Sequence, residues 1–481
     1  MNRKIVFNIT GKFLMVLSAL MLLPMVVSLI YKETAFLAFL ISAAIAFAIG
    51  SVMFFSTKNC RKDLYAREGF LIVSLAWISA SLVGCLPFII SGEVPGFFDA
   101  FFETVSGFTT TGASVVKNVE ALSHGILFWR SFTHWIGGMG VLVFAVAFVG
   151  NLSDKAIHIL RAEMPGPVVG KLVPRAKDTS KVLYIIYIVI TLVQVILLWI
   201  GDMNLFEAFV HSFGTVGTGG FGIKGDSLTT YSSYSQWVII IFMLISGINF
   251  NLYYLLTLRR VKSVLKSEEL WTYFGIFAVA TILVAANIYG IFPTLSETIR
   301  QSAFQVSSII TTTGYATCNF VEWPDFSKAI IFILLFTGAC AGSTAGGLKL
   351  SRVIIIFKVI KKEFGRMIHP RSVASVKFEG REVEEQVQKS VTTYFALYMI
   401  GIFITFLVLS LEKNFDMLTN LTASITCFNN VGPGFGKVGP NDSFAGYTNF
   451  SKFILSFAML FGRLEIFPLL IALTPSTWRK K

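Results

Sequence analysis

The chain of 481 residues is 54% hydrophobic and only 14% charged, with 47 phenylalanines, and its mean hydropathy is +0.72. That composition excludes an ordinary soluble domain. The formal charge of +13 does not indicate nucleic acid, because the cations are gathered in alternate connections between apolar runs.

Ten runs are long enough to cross about 30 Å of hydrocarbon, at roughly 20 residues each. They are read at 13–31, 36–55, 69–91, 127–150, 182–201, 237–258, 271–292, 328–357, 391–411 and 450–474. The first follows Arg3 and Lys4, but it is long for a secretory leader and no small-x-small cleavage site follows, so a retained helix is expected. An even number of spans puts both termini on one side. Basic residues cluster at Arg3, Lys4 and Lys12, then in 58–67, 155–181, 259–266, 358–389 and 479–481, which are every second connection. The positive-inside rule assigns these connections and both termini to the cytoplasm, with part of the basic surface against anionic headgroups.

The outer connections repeat. Aligned, they read 106-SGFTTTGAS-114, 214-GTVGTGGFG-222, 308-SIITTTGYA-316 and 426-TCFNNVGPG-434, with Gly112, Gly220, Gly314 and Gly432 in register. Before each lies a short amphipathic segment, at 99–108, 204–214, 296–308 and 414–428. Each opens with Asp, Asn or Ser and carries an acid near its start, Glu103, Glu207, Glu297 or Asp416, as a capped helix prefers. At roughly three turns these segments are too short to span, and the irregular backbone after them must line protein or water rather than lipid. The fold expected is an all-α polytopic membrane protein: an amino-terminal helix pair in 1–60, then four membrane–pore-loop–membrane repeats in 61–160, 161–265, 266–370 and 371–481, arranged around one axis.

Extended Thr/Gly strands converging on an axis can replace the hydration shell of an alkali cation with peptide carbonyls and threonine hydroxyls, and the negative ends of the half-helices add to the attraction. The candidate lining is Thr110, Thr111 and Gly112; Thr218, Gly219 and Gly220; Thr312, Thr313 and Gly314; and Asn430, Val431 and Gly432. None of the four stretches carries an acid. Two further features stand out. The small-residue stretch 338-GACAGSTAGGLK-349 interrupts the eighth run near its middle, and it lacks the order of a phosphate loop. Arg463 lies deep in the last run, where a cation facing lipid costs at least about 2.5–3.5 kcal/mol, so it must face water or a partner such as nearby Glu465. The cysteines (Cys60, Cys85, Cys318, Cys340, Cys427) show no paired spacing, and His124, His134, His158, His211 and His369 show no ligand spacing, with His124 and His134 expected near an outer interface. A catalytic constellation is not visible.

Together with 134-HWIGGMG-140, 161-RAEMPGP-167, 311-TTTGY-315, 429-NNVGPGFG-436 and 462-GRLEIF-467, these stretches make the chain resemble the superfamily of potassium transporters built from four membrane-loop-membrane repeats. It is most similar to the bacterial TrkH/TrkG subunits, with KtrB and plant HKT proteins more distant. The resemblance implies K⁺ uptake across the bacterial cytoplasmic membrane, with K⁺ as the transported ion at the filter residues and no cofactor in this chain. It also implies a homodimer and a cytosolic TrkA-type regulatory ring binding ATP/ADP or NAD(H). In relatives a serine replacing the first filter glycine accompanies Na⁺ permeation; Gly112 at that place implies preference for K⁺. Only Thr312-Thr313-Gly314-Tyr315 approaches the TVGY of tetrameric K⁺ channels, so weaker discrimination is expected. The family's gate is implied at Gly338, Gly342, Ser343, Gly346, Gly347 and Lys349 together with Arg463. The mixed-charge connection 358–390 is either a solvated linker or a docking surface for the ring. The alternative left open is a symporter coupling K⁺ to H⁺ or Na⁺; a membrane enzyme would need an acid–base or metal cluster that the sequence lacks.

Overall fold

The computed structural model describes residues 2–59, 65–140, 176–371 and 374–478. Cys60, His158, the motif at 161–167, the last part of the run 127–150, the basic clusters at 155–175 and 479–481 and the middle of 58–67 lie outside the described residues. Among the described residues, six helices are long and apolar enough to cross a membrane: Arg3–Ile30, Ala35–Ser56, Arg67–Ser91, Lys181–Ile200, Glu268–Asn287 and Glu385–Leu409. They correspond to the amino-terminal pair and the first helix of each repeat. Two of them hitch where a proline ring meets the carbonyl four residues back, at Met21 ahead of Pro24 and at Cys85 ahead of Pro87. Large apolar side chains such as Ile30, Val52, Ile200 and Leu407 face outward, as lipid contact requires, and the chain is a multi-pass membrane protein.

The second helix of each repeat corrects the expectation from sequence. The runs 127–150, 237–258 and 450–474 read as continuous, with a break only in 328–357; all four stop early. They end as His124–Gly138, Ser233–Ser246, Asp325–Leu334 and Asn449–Arg463. The second turns by 87° before resuming as Phe250–Thr257. The last resumes as Phe467–Leu473 after Glu465 and Ile466, both at positive φ. Apolar composition hid these breaks, because hydropathy reports the solvent of a segment and not its continuity.

The half-helices fall at Phe97–Phe108, Leu205–Val216, Leu295–Ile310 and Met417–Asn429, within a few residues of the expected segments. Asn204 and Glu207 form a reciprocal capping box, and Thr294 and Asp416 cap their helices. Glu103 is a correction: Asp99 occupies the first turn, while Glu103 lies a turn further in and points elsewhere.

The amino-terminal pair packs by close backbone approach, since a Cβ on Gly11 or Gly50 would lie 2.7 Å from the other's carbonyl oxygen. The two ends of the chain meet. The Asn2 amide donates to Glu68 at 3.1 Å and Arg67 to the Ser476 carbonyl at 2.7 Å, so both lie at one end of the bundle.

Candidate functional site

Each half-helix ends in the same way. The amides of Thr110, Thr218, Thr312 and Asn430 reach back to the carbonyls of Gly107, Thr215, Ile309 and Cys427, and the next amides, of Thr111, Gly219, Thr313 and Val431, reach Ser106, Gly214, Ser308 and Thr426 at 2.8–3.0 Å. This is the Schellman pattern, which puts the residue after the helix in the left-handed region. Here that residue is not glycine. Thr110, Thr218, Thr312 and Asn430 sit at φ 55–56°, where a β-branched side chain is an outlier, costing on the order of 1–3 kcal/mol. Two residues on, Gly112, Gly220, Gly314 and Gly432 again have positive φ, between 78° and 101°.

Along an ordinary strand successive carbonyls face opposite sides, and a left-handed residue at every second position departs from that alternation. The four strands then close on one another. A Cβ on Gly112 would strike the Gly219 carbonyl oxygen, on Gly220 that of Thr313, on Gly314 that of Val431, and on Gly432 that of Thr111. The contacts run from the first strand to the second, third and fourth and back to the first. Eight of the twelve sequence-derived lining residues make these contacts and the other four, Thr110, Thr218, Thr312 and Asn430, begin the same strands; the four glycines line a single cavity of about 260 Å³ on the side of the long connections.

The ring is braced from behind by groups that sequence reasoning missed. Glu103, buried, accepts from the Ser114 hydroxyl at 2.9 Å and the Val115 amide at 2.9 Å, and pairs with buried Arg130 at 2.8 Å. The Arg130 guanidinium lies 4.1 Å from the centre of the Phe221 ring. An arginine four residues into an apolar run was the available signal. His134, placed near an outer interface from sequence, is fully buried: its Nδ1 lies 2.7 Å from the Gly107 carbonyl, and its Nε2 accepts the Phe221 amide at 3.3 Å. Its position behind the second strand, away from the expected interface, is the correction. The Tyr315 hydroxyl donates to the Phe221 carbonyl at 3.2 Å, and the Asn430 amide donates to the Thr111 hydroxyl at 3.0 Å.

Directly under the ring lies the interruption of the third repeat. Gly338 donates to the Leu348 carbonyl at 2.8 Å and Gly346 to the Thr312 hydroxyl at 2.7 Å. Gly346 also abuts the backbone of Asn429. Gly342 and Gly347 take positive φ of 73° and 68°, the Ser343 hydroxyl donates to Cys340 at 2.7 Å, and buried Lys349 donates back to the Ala345 carbonyl. Arg463 joins this layer. Its guanidinium donates to the carbonyls of Gly137 at 2.5 Å, Gly138 at 2.8 Å and Thr344 at 2.8 Å, and to the Thr110 hydroxyl at 3.3 Å. Glu465, the partner suggested by proximity in sequence, instead takes both terminal nitrogens of Arg352. Arg463, Lys349 and Gly346 border a small cavity of about 60 Å³ with Trp77 and Gly138. Thus the seven remaining predicted residues, from Gly338 to Arg463, form one layer beneath the ring.

Known proteins share this architecture over their full length. Trk system potassium uptake protein TrkH from Salmonella typhimurium is 37% identical over all of both chains, and Trk system potassium uptake protein TrkG from Escherichia coli is 36% identical over 99% of each. The crystal structure of the potassium transporter TrkH from Vibrio parahaemolyticus superposes with a TM-score of 0.89, at 32% identity and complete coverage of both chains. The TrkH model, described as cation transport protein, matches residues 36–480. The family is one of transport proteins and not of enzymes, and the chain belongs to it: this is a member of the TrkH cation transport family.

Proposed function

We propose that this chain takes up K⁺ across the cytoplasmic membrane of a bacterium through a selective pore, with the ring of Gly112, Gly220, Gly314 and Gly432 as its filter and the layer beneath as its gate. The observation that carries the reading is the closed cycle of strand contacts, because a cation stripped of water needs oxygens on all sides at once. The half-helices end at the ring, so their partial negative charge faces the same point. The potassium named in the relatives' descriptions supports the choice among alkali ions.

In this reading Arg463 and the 338–349 loop occlude the path below the filter. The guanidinium stands where a potassium ion leaving the filter would pass, and its charge repels that ion. Opening is assigned to a cytosolic TrkA-type nucleotide-binding ring, and the working unit to a homodimer with both termini in the cytoplasm. The test is the reversal potential of the purified chain in a planar bilayer. Following the K⁺ gradient alone supports a pore; a shift with an imposed H⁺ or Na⁺ gradient would move the chain to the symporters.

A further inference from the structure

The connection 358–390, read from sequence as linker or docking surface, contains a docked hairpin. Lys377–Phe378 pairs antiparallel with Arg381–Glu382, and the turn residues Glu379 and Gly380 both take positive φ, the signature of a tight two-residue turn. Val376, Phe378 and Val383 are buried in the same apolar cluster as Ala339, Cys340 and Ala345 of the intramembrane loop.

A chain of hydrogen bonds runs parallel to this packing. At the hairpin tip, Glu379 Oε1 accepts from the Ser267 hydroxyl at 2.8 Å and the Glu269 amide at 3.0 Å, at the start of the helix Glu268–Asn287. The Glu269 side chain, buried, in turn accepts the amides of Ala341 at 2.8 Å and Ser351 at 3.0 Å, which lie inside the loop and just past its end. A second tie joins the same parts: Lys358, on the helix that leaves the loop, donates to the Lys377 carbonyl at 2.8 Å and pairs with Glu268.

We propose that the hairpin 376–383 is the cytoplasmic handle of the intramembrane loop, with Glu379 as a positioning residue that holds Glu269, and through it Ala341 and Ser351, in the occluding arrangement. The inference rests on the reading of that loop as the gate. A cytosolic element that displaces the hairpin therefore releases both ends of the loop at once, without touching the filter. Carboxylates accepting several donors form the stronger class of hydrogen bond, so the loss of one is felt at the loop.

The test compares Glu379→Gln, Glu379→Asp and Lys358→Met with the native chain, full length, in liposomes free of any other protein. Potassium flux is expected to rise roughly fivefold or more in Glu379→Gln and Lys358→Met, the low end of ordinary coupling between sites. Glu379→Asp should return toward the native rate, and Glu382→Gln, exposed on the same hairpin, should leave it unchanged. The ratio of K⁺ to Na⁺ flux should stay fixed in all four. Hydrogen–deuterium exchange supplies an arm independent of transport: amides of 338–349 exchange faster in Glu379→Gln while those of 106–114 do not. Unchanged loop exchange in both Glu379→Gln and Lys358→Met overturns the proposal, whatever the flux. Faster exchange of the loop with unaltered flux leaves the handle standing and refutes the loop as gate.

Discussion

Gly112→Ser tests the ring at its tightest point. Gly112 has φ +78°, so any side chain costs about 1–2 kcal/mol for the left-handed backbone alone. The larger cost is steric, because the new Cβ would overlap the Gly219 carbonyl oxygen and press within 3.2 Å of its carbon. The second strand cannot retreat, since Gly219 is itself seated against the His134 ring, and that ring is pinned on both nitrogens. The first strand must therefore give way, withdrawing its oxygens from one quarter of the ring. Each loss of about 1.4 kcal/mol in discrimination is tenfold, so the K⁺/Na⁺ permeability ratio should fall by about tenfold, through a rise in Na⁺ permeation. Under bi-ionic conditions that is a shift of about 59 mV in reversal potential. Gly365→Ser, at a helical glycine with open space around it, is the control. A Gly112→Ser protein that folds normally and keeps its reversal potential would remove the filter from this ring.

Arg463→Ala should raise K⁺ flux in the absence of any cytosolic protein, because its hydrogen bonds to Gly137, Gly138, Thr344 and Thr110 and its positive charge leave the path; equal or lower flux at matched expression refutes the occlusion. Arg130→Met leaves Glu103 buried without its partner and should lower stability by about 3–5 kcal/mol, whereas Arg130→Met combined with Glu103→Leu should recover part of it, as read by thermal unfolding in detergent. Gly11→Leu should drive the amino-terminal helices apart where Gly50 now touches, lowering the melting temperature while K⁺/Na⁺ selectivity stays put. Between the helix Lys181–Ile200 and the second half-helix, partial burial works against the Asp202 charge, but the Ser235 and Ser232 hydroxyls and the Ser232 amide prevail and hold its pKa below the ordinary carboxylate value. The stability it contributes is thus present above the unfolded-state pKa and lost as pH falls through the folded one. Asp202→Asn should flatten the acid limb of a melting-temperature profile below about pH 4.

What the sequence disclosed was whatever repeats or whatever is expensive. The half-helices and their glycines could be aligned because four copies of one short pattern recur, and Arg463 could be singled out because a deep cation needs a reason. The intramembrane loop announced itself through its small residues. The breaks at 247–249 and 464–466 did not: Ile248, Leu464 and Ile466 are as apolar as the helices they interrupt, and the turn at Glu465 and Ile466 is held by tertiary contacts, with Glu465 tied to Arg352. His134 and Arg130 escaped for another reason. Their partners lie 27 residues away at Gly107 and Glu103 and beyond at Phe221, separations that no local pattern encodes. Glu103 was misplaced because an acid one turn too deep reads like an acid in the first turn.

The four early helix ends and Arg463 form one arrangement. A helix that stops inside the protein leaves carbonyls without amide partners, and such groups are costly unless something donates to them. Below the ring, such carbonyls come from the helix ends at Gly138 in the first repeat and Gly247 in the second, and the loop of the third repeat adds the Thr344 carbonyl. The Cys340 amide satisfies Gly247 at 3.1 Å, and the guanidinium of the fourth repeat donates to Gly138, to Thr344 and to Gly137, whose carbonyl also takes the Gly140 amide at 3.0 Å. The contacts of Arg463 thus include three peptide carbonyls and one hydroxyl, the same kind of group the ring above presents. The guanidinium sits directly beneath the ring, tied to backbone carbonyls of the first and third repeats. The breaks that free those carbonyls make room for the loop and also supply the acceptors that keep the arginine in place.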